Sequence, residues 1–135
     1  MQSSGLDHIA IAVADLDRAV AFFRDILGLR HEGTEEVPTE GVKTAFFRAG
    51  AARIELVSPT APGSAVSRFL ERNGEGIHHI ALRVDDIDAA MKSLKGAGLA
   101  LTSDTPRPGA EGARITFIHP KSAHGVLVEL KEEKE

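Results

Sequence analysis

Two histidines and two glutamates occupy matched places in this sequence of 135 residues. His8 and His79 each stand near the start of an apolar run, and Glu55 and Glu129 each lie between aliphatic residues. Imidazole and carboxylate groups together suit a divalent cation of borderline or hard character. A cation would also allow two carboxylates to lie close together away from bulk water. The residue types therefore indicate a metal site, although the spacing does not select the ion.

Each of these residues also has an ordinary structural interpretation. A histidine at the start of a strand is commonly a hydrogen-bonded structural residue, and a glutamate within a strand commonly faces solvent. The metal hypothesis is favoured because four such positions coincide in two matched segments. His78 has Asp7, not a histidine, at its matched position. Because side chains alternate along a strand, His78 is predicted to point away from His79 and to be structural.

The segments that begin at the two histidines form an internal repeat in which equivalent residues lie 71 positions apart. Besides the two histidines, the agreeing pairs are Ile9 with Ile80, Ala10 with Ala81, Val13 with Val84, Asp15 with Asp86 and Asp17 with Asp88. The short apolar run of each copy, rich in β-branched residues, is typical of a buried strand. The aspartate after each run can cap a helix by accepting a hydrogen bond from an early backbone N–H. The same strand and helix are therefore predicted twice.

The two repeated helices are predicted from their apolar faces. These faces consist of Leu16, Val20, Phe23 and Leu27 in the first helix and of Ile87, Met91 and Leu94 in the second. Each helix is predicted to end at a glycine, Gly28 or Gly98. Three strands are predicted after each helix, at residues 29–34, 42–48 and 52–58 and at residues 99–103, 113–119 and 125–131. A short linker helix, capped by Ser64 and stopped at Asn73-Gly74, is predicted between the halves.

The predicted fold class is α+β, with two tandem βαβββ modules that form a curved eight-stranded mixed sheet. We expect a single domain over residues 1–135, with module one at 5–58, the linker helix at 59–75 and module two at 76–131. If the aliphatic neighbours of the two glutamates enter the core, alternation turns both carboxylates to the other face of the sheet. A pseudo-twofold relation between the modules would then bring the four candidate ligands together on the concave face.

The composition argues against several classes of protein. A formal net charge of −4 and the lack of a basic run argue against a nucleic-acid surface. The absence of cysteine excludes disulfides, thiolate metal sites and a cysteine nucleophile. No segment approaches the roughly 18 apolar residues that a membrane helix needs, and the N-terminus lacks the pattern of a secretory signal. A cytoplasmic protein that binds neither nucleic acid nor membrane is expected.

The motifs of the repeat resemble a known superfamily across almost the whole chain. The segments DHIAIAV, RIELVSP, GIHHIALRVDDID and HPKSAHGVLVEL resemble the vicinal-oxygen-chelate (glyoxalase/bleomycin-resistance) superfamily. Together with PRPGAEGA they are similar to its methylmalonyl-CoA epimerase family. The resemblance implies that His8, Glu55, His79 and Glu129 hold a divalent metal ion, Co²⁺ before Mn²⁺, Ni²⁺, Zn²⁺ or Fe²⁺. It also implies a homodimer.

The resemblance further implies a substrate and a reaction. The expected substrate is methylmalonyl-CoA or a related acyl-CoA, whose (2R) and (2S) forms would interconvert by α-proton abstraction through a metal-stabilised enediolate. Epimerisation needs acid/base groups on both faces of the planar intermediate, and Glu129 is implied as one of them. The other family base lies in a Glu-Gln-Gly-Val motif, where this chain has Thr39-Glu40-Gly41-Val42. Glu40 is therefore either a catalytic base displaced by one residue or a solvated loop charge.

Two other functions stay open. One is a glyoxalase-type lyase or isomerase acting on a thiol adduct, and the other is a non-catalytic ligand-sequestering protein of the bleomycin-resistance type. The four-residue ligand set argues against the second, because a binding pocket does not require it. Arg107 and Arg114 are candidates for phosphate contacts, with a surface hairpin as the plainer interpretation. His124 stands in a turn where the family usually has a small residue.

Overall fold

A computed structural model describes residues 1–134 of the chain. The chain divides into two compact units, one formed by residues 8–78 and the other by residues 1–7 with the chain from His79 onward. The predicted single domain over residues 1–135 stays a prediction. Within the described residues, none of the helices combines the length and the apolar character needed to cross a membrane.

Module one contains four strands. They are β1 (Ser3–Ala12), β2 (Arg30–Val37), β3 (Val42–Ala49) and β4 (Ala52–Pro59). Their order is β2-β3-β4-β1, with β1 parallel to β4 and the other neighbours antiparallel.

Module two repeats this arrangement with β5 (Gly76–Val84), β6 (Arg107–Pro108), β7 (Arg114–Ile118) and β8 (Val128–Glu132). Their order is β5-β8-β7-β6, and β5 is parallel to β8. The predicted α+β class, with two βαβββ modules and a mixed sheet of eight strands, is confirmed.

The three α-helices among residues 1–134 begin where the sequence predicts. They are α1 (Leu16–Ala21), α2 (Ala65–Asn73) and α3 (Ile87–Gly96). The carboxylate of Asp15 accepts a hydrogen bond from the Arg18 N–H at 3.1 Å, and that of Asp86 accepts one from the Ala89 N–H at 3.0 Å. The Ser64 hydroxyl accepts from the Ser67 N–H at 3.2 Å. Because these side chains satisfy backbone donors that the first turn leaves open, all three predicted caps are confirmed.

Each module has its own apolar core between its sheet and its helix. The core of module one comprises Val13, Val20, Ala45, Phe47 and Leu56, and that of module two comprises Val84, Ile87, Ala90, Met91, Ile118 and Leu130. Leu56 and Leu130 are completely buried. Because successive side chains of a strand alternate, Glu55 and Glu129 lie on the opposite face of the sheet from the helices. The predicted alternation is confirmed.

The predicted apolar face of the first helix is wrong at its C-terminal end. After α1 the chain forms a π-helical turn at Phe22–Ile26, in which the Leu27 N–H donates to the Phe22 carbonyl at 3.0 Å. A π turn inserts an extra residue into the helix and so rotates the residues after it. Leu27 is consequently 51% exposed and does not join the core. Gly28 has the predicted left-handed conformation, with φ of 72°.

The strand predicted at residues 99–103 is also wrong. This segment makes only an isolated bridge between Leu101 and Ile118, and the short strand β6 lies further along the chain. Proline has no N–H to donate to a ladder, so Pro106 and Pro108 prevent a longer strand from forming there. The last strand, predicted from residue 125, begins at 128 because the N–H groups of Gly125 and Val126 are held in a turn.

His124 lies in this turn, where it is exposed and has φ of 57°. A side chain with a β-carbon is strained in the left-handed region, and glycine is not. We expect His124→Gly to raise the free energy of unfolding by about 0.5–1 kcal/mol, measured by urea denaturation. The control His124→Ala keeps the β-carbon and should bring no such gain. A glycine variant less stable than the parent would contradict this account.

Candidate metal and catalytic site

In module one, the parallel register of β1 and β4 brings a histidine and a glutamate together. Ala10 lies opposite Glu55 in this register, and His8 precedes Ala10 by two residues, so its side chain lies on the same face as Glu55. The Nδ1 atom of His8 is 3.1 Å from Oε2 of Glu55. Both residues are buried, with 3% and 5% of their surface exposed. The pair therefore forms within residues 8–78.

Module two contains the same construction on β5 and β8. Ala81 lies opposite Glu129, and His79 precedes Ala81 by two residues. The Nε2 atom of His79 is 3.3 Å from Oε1 of Glu129, and both residues are buried. The small alanine opposite each glutamate leaves room for a histidine and a glutamate to meet diagonally across two strands. The sequence repeat is thus also a repeat of local geometry.

The spacing within each pair fits two ligands of one metal ion. Nitrogen and oxygen ligands stand about 2.0–2.2 Å from ions such as Zn²⁺. Two adjacent ligands at that distance lie roughly 3.0 Å apart around an octahedral ion and about 3.4 Å apart around a tetrahedral one. The separations of 3.1 and 3.3 Å in the two pairs fall in this range. All four residues are buried and each offers a ligand atom of a type that metal ions bind.

Each glutamate also faces a phenylalanine that the sequence analysis did not single out. Phe46 of β3 lies opposite Glu55, and Phe117 of β7 lies opposite Glu129. The Phe117 ring packs edge to face on His79 with centroids 5.2 Å apart. An aromatic wall limits the ways in which the imidazole can turn and keeps water away from the carboxylate. The two phenylalanines are 71 positions apart, so the repeat offset could have revealed them.

A cluster of charged residues on module one was likewise not predicted. Glu32, at a bulge of β2, accepts hydrogen bonds from Arg53 Nε at 3.0 Å and Arg48 Nε at 3.3 Å. The hydrogen bond from Arg48 has the largest effect and the one from Arg53 adds to it, so that the pKa of the Glu32 carboxyl lies below its ordinary value. The Arg53 guanidinium also lies over the Phe46 ring, 4.8 Å from its centroid.

The turn between β2 and β3 holds the candidate catalytic base. The Glu40 N–H donates to the Val37 carbonyl at 3.1 Å, and the Gly41 N–H donates to the Pro38 carbonyl at 3.2 Å. Gly41 has φ of 65°, and a β-carbon there would stand 3.0 Å from the Ser64 β-carbon. Glu40 is half-buried. The turn therefore gives Glu40 a defined backbone position, and its role as a displaced base stays a prediction.

Thr39, at the family's glutamate position, is exposed. A threonine hydroxyl stays protonated near neutral pH and is a poor general base. Thr39 therefore does not replace the missing carboxylate chemically.

The remaining residues singled out in the sequence have structural surroundings. His78 is half-buried and packs edge to face on Phe69, with centroids 5.1 Å apart, in agreement with its predicted structural role. Arg114 forms ion pairs with Asp88 at 2.9 Å and Glu132 at 3.1 Å. The hydrogen bonds to Asp88 and Glu132 raise the pKa of the Arg114 guanidinium. These contacts favour the surface-hairpin interpretation of Arg114 over phosphate binding.

Asp7 marks a second buried ion pair in the unit that contains module two. Its carboxylate is 3.0 Å from Lys131 Nζ and 3.0 Å from Arg83 Nε. Asp7 and Lys131 are 4% and 7% exposed. Two cations thus compensate this buried carboxylate, which needs no metal for its charge balance.

Comparison with known proteins gives a consistent result. Residues 7–117 match the model of the Glyoxalase/Bleomycin resistance protein/Dioxygenase superfamily. The chain is 43% identical to an ethylmalonyl-CoA/methylmalonyl-CoA epimerase of Cereibacter sphaeroides, over 94% of this chain and 96% of that protein. It superposes with a TM-score of 0.94 on the crystal structure of methylmalonyl-CoA epimerase from Mycobacterium tuberculosis, at 41% identity over 98% of this chain and 90% of the other. A methylmalonyl-CoA epimerase in complex with methylmalonyl-CoA and NH4+ has the same TM-score at 40% identity, over 98% and 96% of the two chains.

Proposed function

Because this chain belongs to the methylmalonyl-CoA epimerase family of the glyoxalase/bleomycin resistance protein/dioxygenase superfamily, we propose that it interconverts (2R)- and (2S)-methylmalonyl-CoA with the aid of a divalent metal ion. The observation that carries this proposal is the pair of buried His–Glu contacts, built alike in the two modules. A ligand-sequestering protein would have no need for such a duplicated set of donors.

The proposed ligands of the ion are His8, Glu55, His79 and Glu129. When bound, the ion supplies positive charge that stabilises the negative charge developing on the substrate oxygens when the C2 proton leaves. Neutral imidazoles and ionised carboxylates are the donor forms required. A site of this composition also binds several other divalent ions, so Co²⁺, Mn²⁺, Ni²⁺, Zn²⁺ and Fe²⁺ are all to be compared, with Co²⁺ first.

Two carboxylates are proposed to move the proton. In one direction Glu129 takes the C2 proton and Glu40 returns one to the opposite face of the planar carbon, and in the other direction the two exchange roles. The substrate gains and loses no proton overall, but Glu129 ends protonated and Glu40 ends ionised. The two carboxylates return to their starting forms by exchanging protons with water, and no other co-reactant is needed. The apolar ring of Phe117, opposite Glu129 on β7, helps to exclude water that would compete for the intermediate.

The homodimer is proposed from the family resemblance alone, and the cytoplasmic location is the expectation stated in the sequence analysis. We expect a homodimer in the cytoplasm. Sedimentation equilibrium of the purified chain would test the first expectation independently of any assay.

The proposed function is tested by proton NMR of methylmalonyl-CoA in deuterated water. Protein stripped of metal and then reloaded with Co²⁺ or Zn²⁺ is compared with metal-free protein and with metal alone, and the metal content of each sample is measured by elemental analysis. We expect loss of the C2 proton signal only with loaded protein. His79→Ala should bind less metal and lose this exchange.

A fully loaded protein that exchanges no faster than metal alone would overturn the proposed function. The thiol adducts used by glyoxalase-type enzymes would then be the next substrates to test, because the same donor set supports proton transfer in them.

A further inference from the structure

Arg53 lies on the same face of module one as the proposed metal ligands. It precedes Glu55 by two residues on β4, so both side chains leave the strand on one face. The parallel register with β1 places Arg53 directly opposite His8. Arg53 is thus a neighbour of one ligand along its strand and of another across the sheet. All three residues belong to the unit formed by residues 8–78.

The Arg53 guanidinium is held in a defined orientation. Its Nε–H donates to Glu32 at 3.0 Å, its Cζ atom lies over the Phe46 ring, and the side chain is 18% exposed. Phe46 itself lies opposite Glu55. A guanidinium fixed by a carboxylate and an aromatic ring loses little further freedom when it binds an anion.

Arg53 shares its carboxylate partner with a second arginine. Glu32 is shared with Arg48, whose Nη2 is 3.1 Å from Glu32 Oε1. The two guanidinium groups and the single carboxylate of this cluster carry a net charge of +1. An arginine presents paired N–H groups that match the two oxygens of a carboxylate.

The repeat is broken at this position. Arg53-Ile54-Glu55-Leu56 of module one corresponds to Leu127-Val128-Glu129-Leu130 of module two. The glutamates and their aliphatic neighbours are retained, but leucine takes the place of the arginine. A malonyl thioester is asymmetric in the same sense, because a free carboxylate stands on one side of C2 and a thioester on the other. The two modules therefore differ in charge at the position two residues before the glutamate.

We propose that Arg53 recognises the free carboxylate of the substrate and so restricts the site to thioesters of the 2-substituted malonyl type. This inference rests on the proposed function and adds a specificity-determining residue to it. Arg53 acts on ground-state binding and on the choice of substrate, and takes no part in moving the C2 proton. An acyl-CoA without a free carboxylate gains nothing from Arg53.

The test compares the binding of malonyl-CoA, which has the carboxylate, with that of acetyl-CoA, which lacks it. Affinities are measured by titration calorimetry with metal-loaded protein, for the parent chain, Arg53→Met and Arg53→Lys. We expect Arg53→Met to weaken malonyl-CoA binding roughly 10- to 100-fold and to leave acetyl-CoA binding unchanged. With methylmalonyl-CoA, KM should rise by a similar factor while kcat changes much less.

Arg48→Met is the matched control, because Arg48 contacts the same glutamate. We expect it to alter the preference for malonyl-CoA by no more than about twofold, as an exposed ion pair contributes little. Metal content and Tm are measured for every variant. If Arg53→Met does not fold, Arg53→Lys decides the question, since it keeps the charge but loses the paired N–H geometry and should show a smaller loss confined to malonyl-CoA.

The role of Arg53 would be overturned if Arg53→Met weakened the binding of malonyl-CoA and acetyl-CoA equally, or if it left the preference for malonyl-CoA unchanged. C2 proton exchange by the parent chain is recorded in the same series. Exchange in the parent together with an unchanged preference in Arg53→Met would defeat this inference alone, whereas no exchange in the parent would defeat the proposed function as well.

Discussion

Glu129→Ala is expected to lose its metal and its activity together. Glu129 is buried against His79, with 3.3 Å between Glu129 Oε1 and His79 Nε2. It is proposed both as a metal ligand and as an acid/base group. Removing a ligand should weaken metal binding by at least the roughly 10- to 100-fold found for residues that only support ligands. Loss of an acid/base group costs a further factor of about 10²–10⁴ in turnover. Elemental analysis after dialysis and the NMR exchange assay measure the two losses separately.

Glu129→Gln separates the two roles, because an amide oxygen can still coordinate a metal but cannot accept the C2 proton at neutral pH. We expect this variant to keep much of the metal and to lose inversion. Glu71→Ala, on the exposed side of α2, is the control and should behave like the parent chain. Full metal content and full turnover in Glu129→Ala would contradict both assignments.

Glu40→Gln is expected to lower kcat by about 10²–10⁴-fold with the metal retained. Glu40 lies in the β2–β3 turn and is not among the proposed ligands. A reaction that uses two bases predicts a further result. One epimer should still exchange its C2 proton with solvent through Glu129, while its conversion to the other epimer is lost. Recording exchange and inversion for each epimer separately distinguishes this outcome from a general loss of activity.

Glu36→Gln is the matched control for Glu40→Gln, since Glu36 is exposed on β2 of the same hairpin. It should leave both exchange and inversion intact. Unchanged turnover in Glu40→Gln would remove Glu40 as a required base. In that case its charge would be a surface feature of the turn.

Much of the fold follows from patterns of short range. The caps at Asp15, Ser64 and Asp86 were predictable because a cap depends on hydrogen bonds between residues three apart in sequence. The π turn after α1 was not, because the apolar spacing of the first helix suits an α-helix as well. The predicted strand at 99–103 failed for a related reason, since its composition suits a strand but its pairing is decided by residues far along the chain.

The sequence by itself determined that the chain is a repeat, which residues are the candidate ligands and which face of each strand they occupy. Alternation along a strand is a local property. The similarity between segments that are 71 residues apart is visible without any structure. Only the tertiary structure decided which histidine meets which glutamate, and that Arg53 lies opposite His8 and Phe46 opposite Glu55. These neighbours come from the registers of β1 with β4 and of β3 with β4. A register is set by packing and hydrogen bonding between separate strands, and a shift of one residue would exchange the two faces.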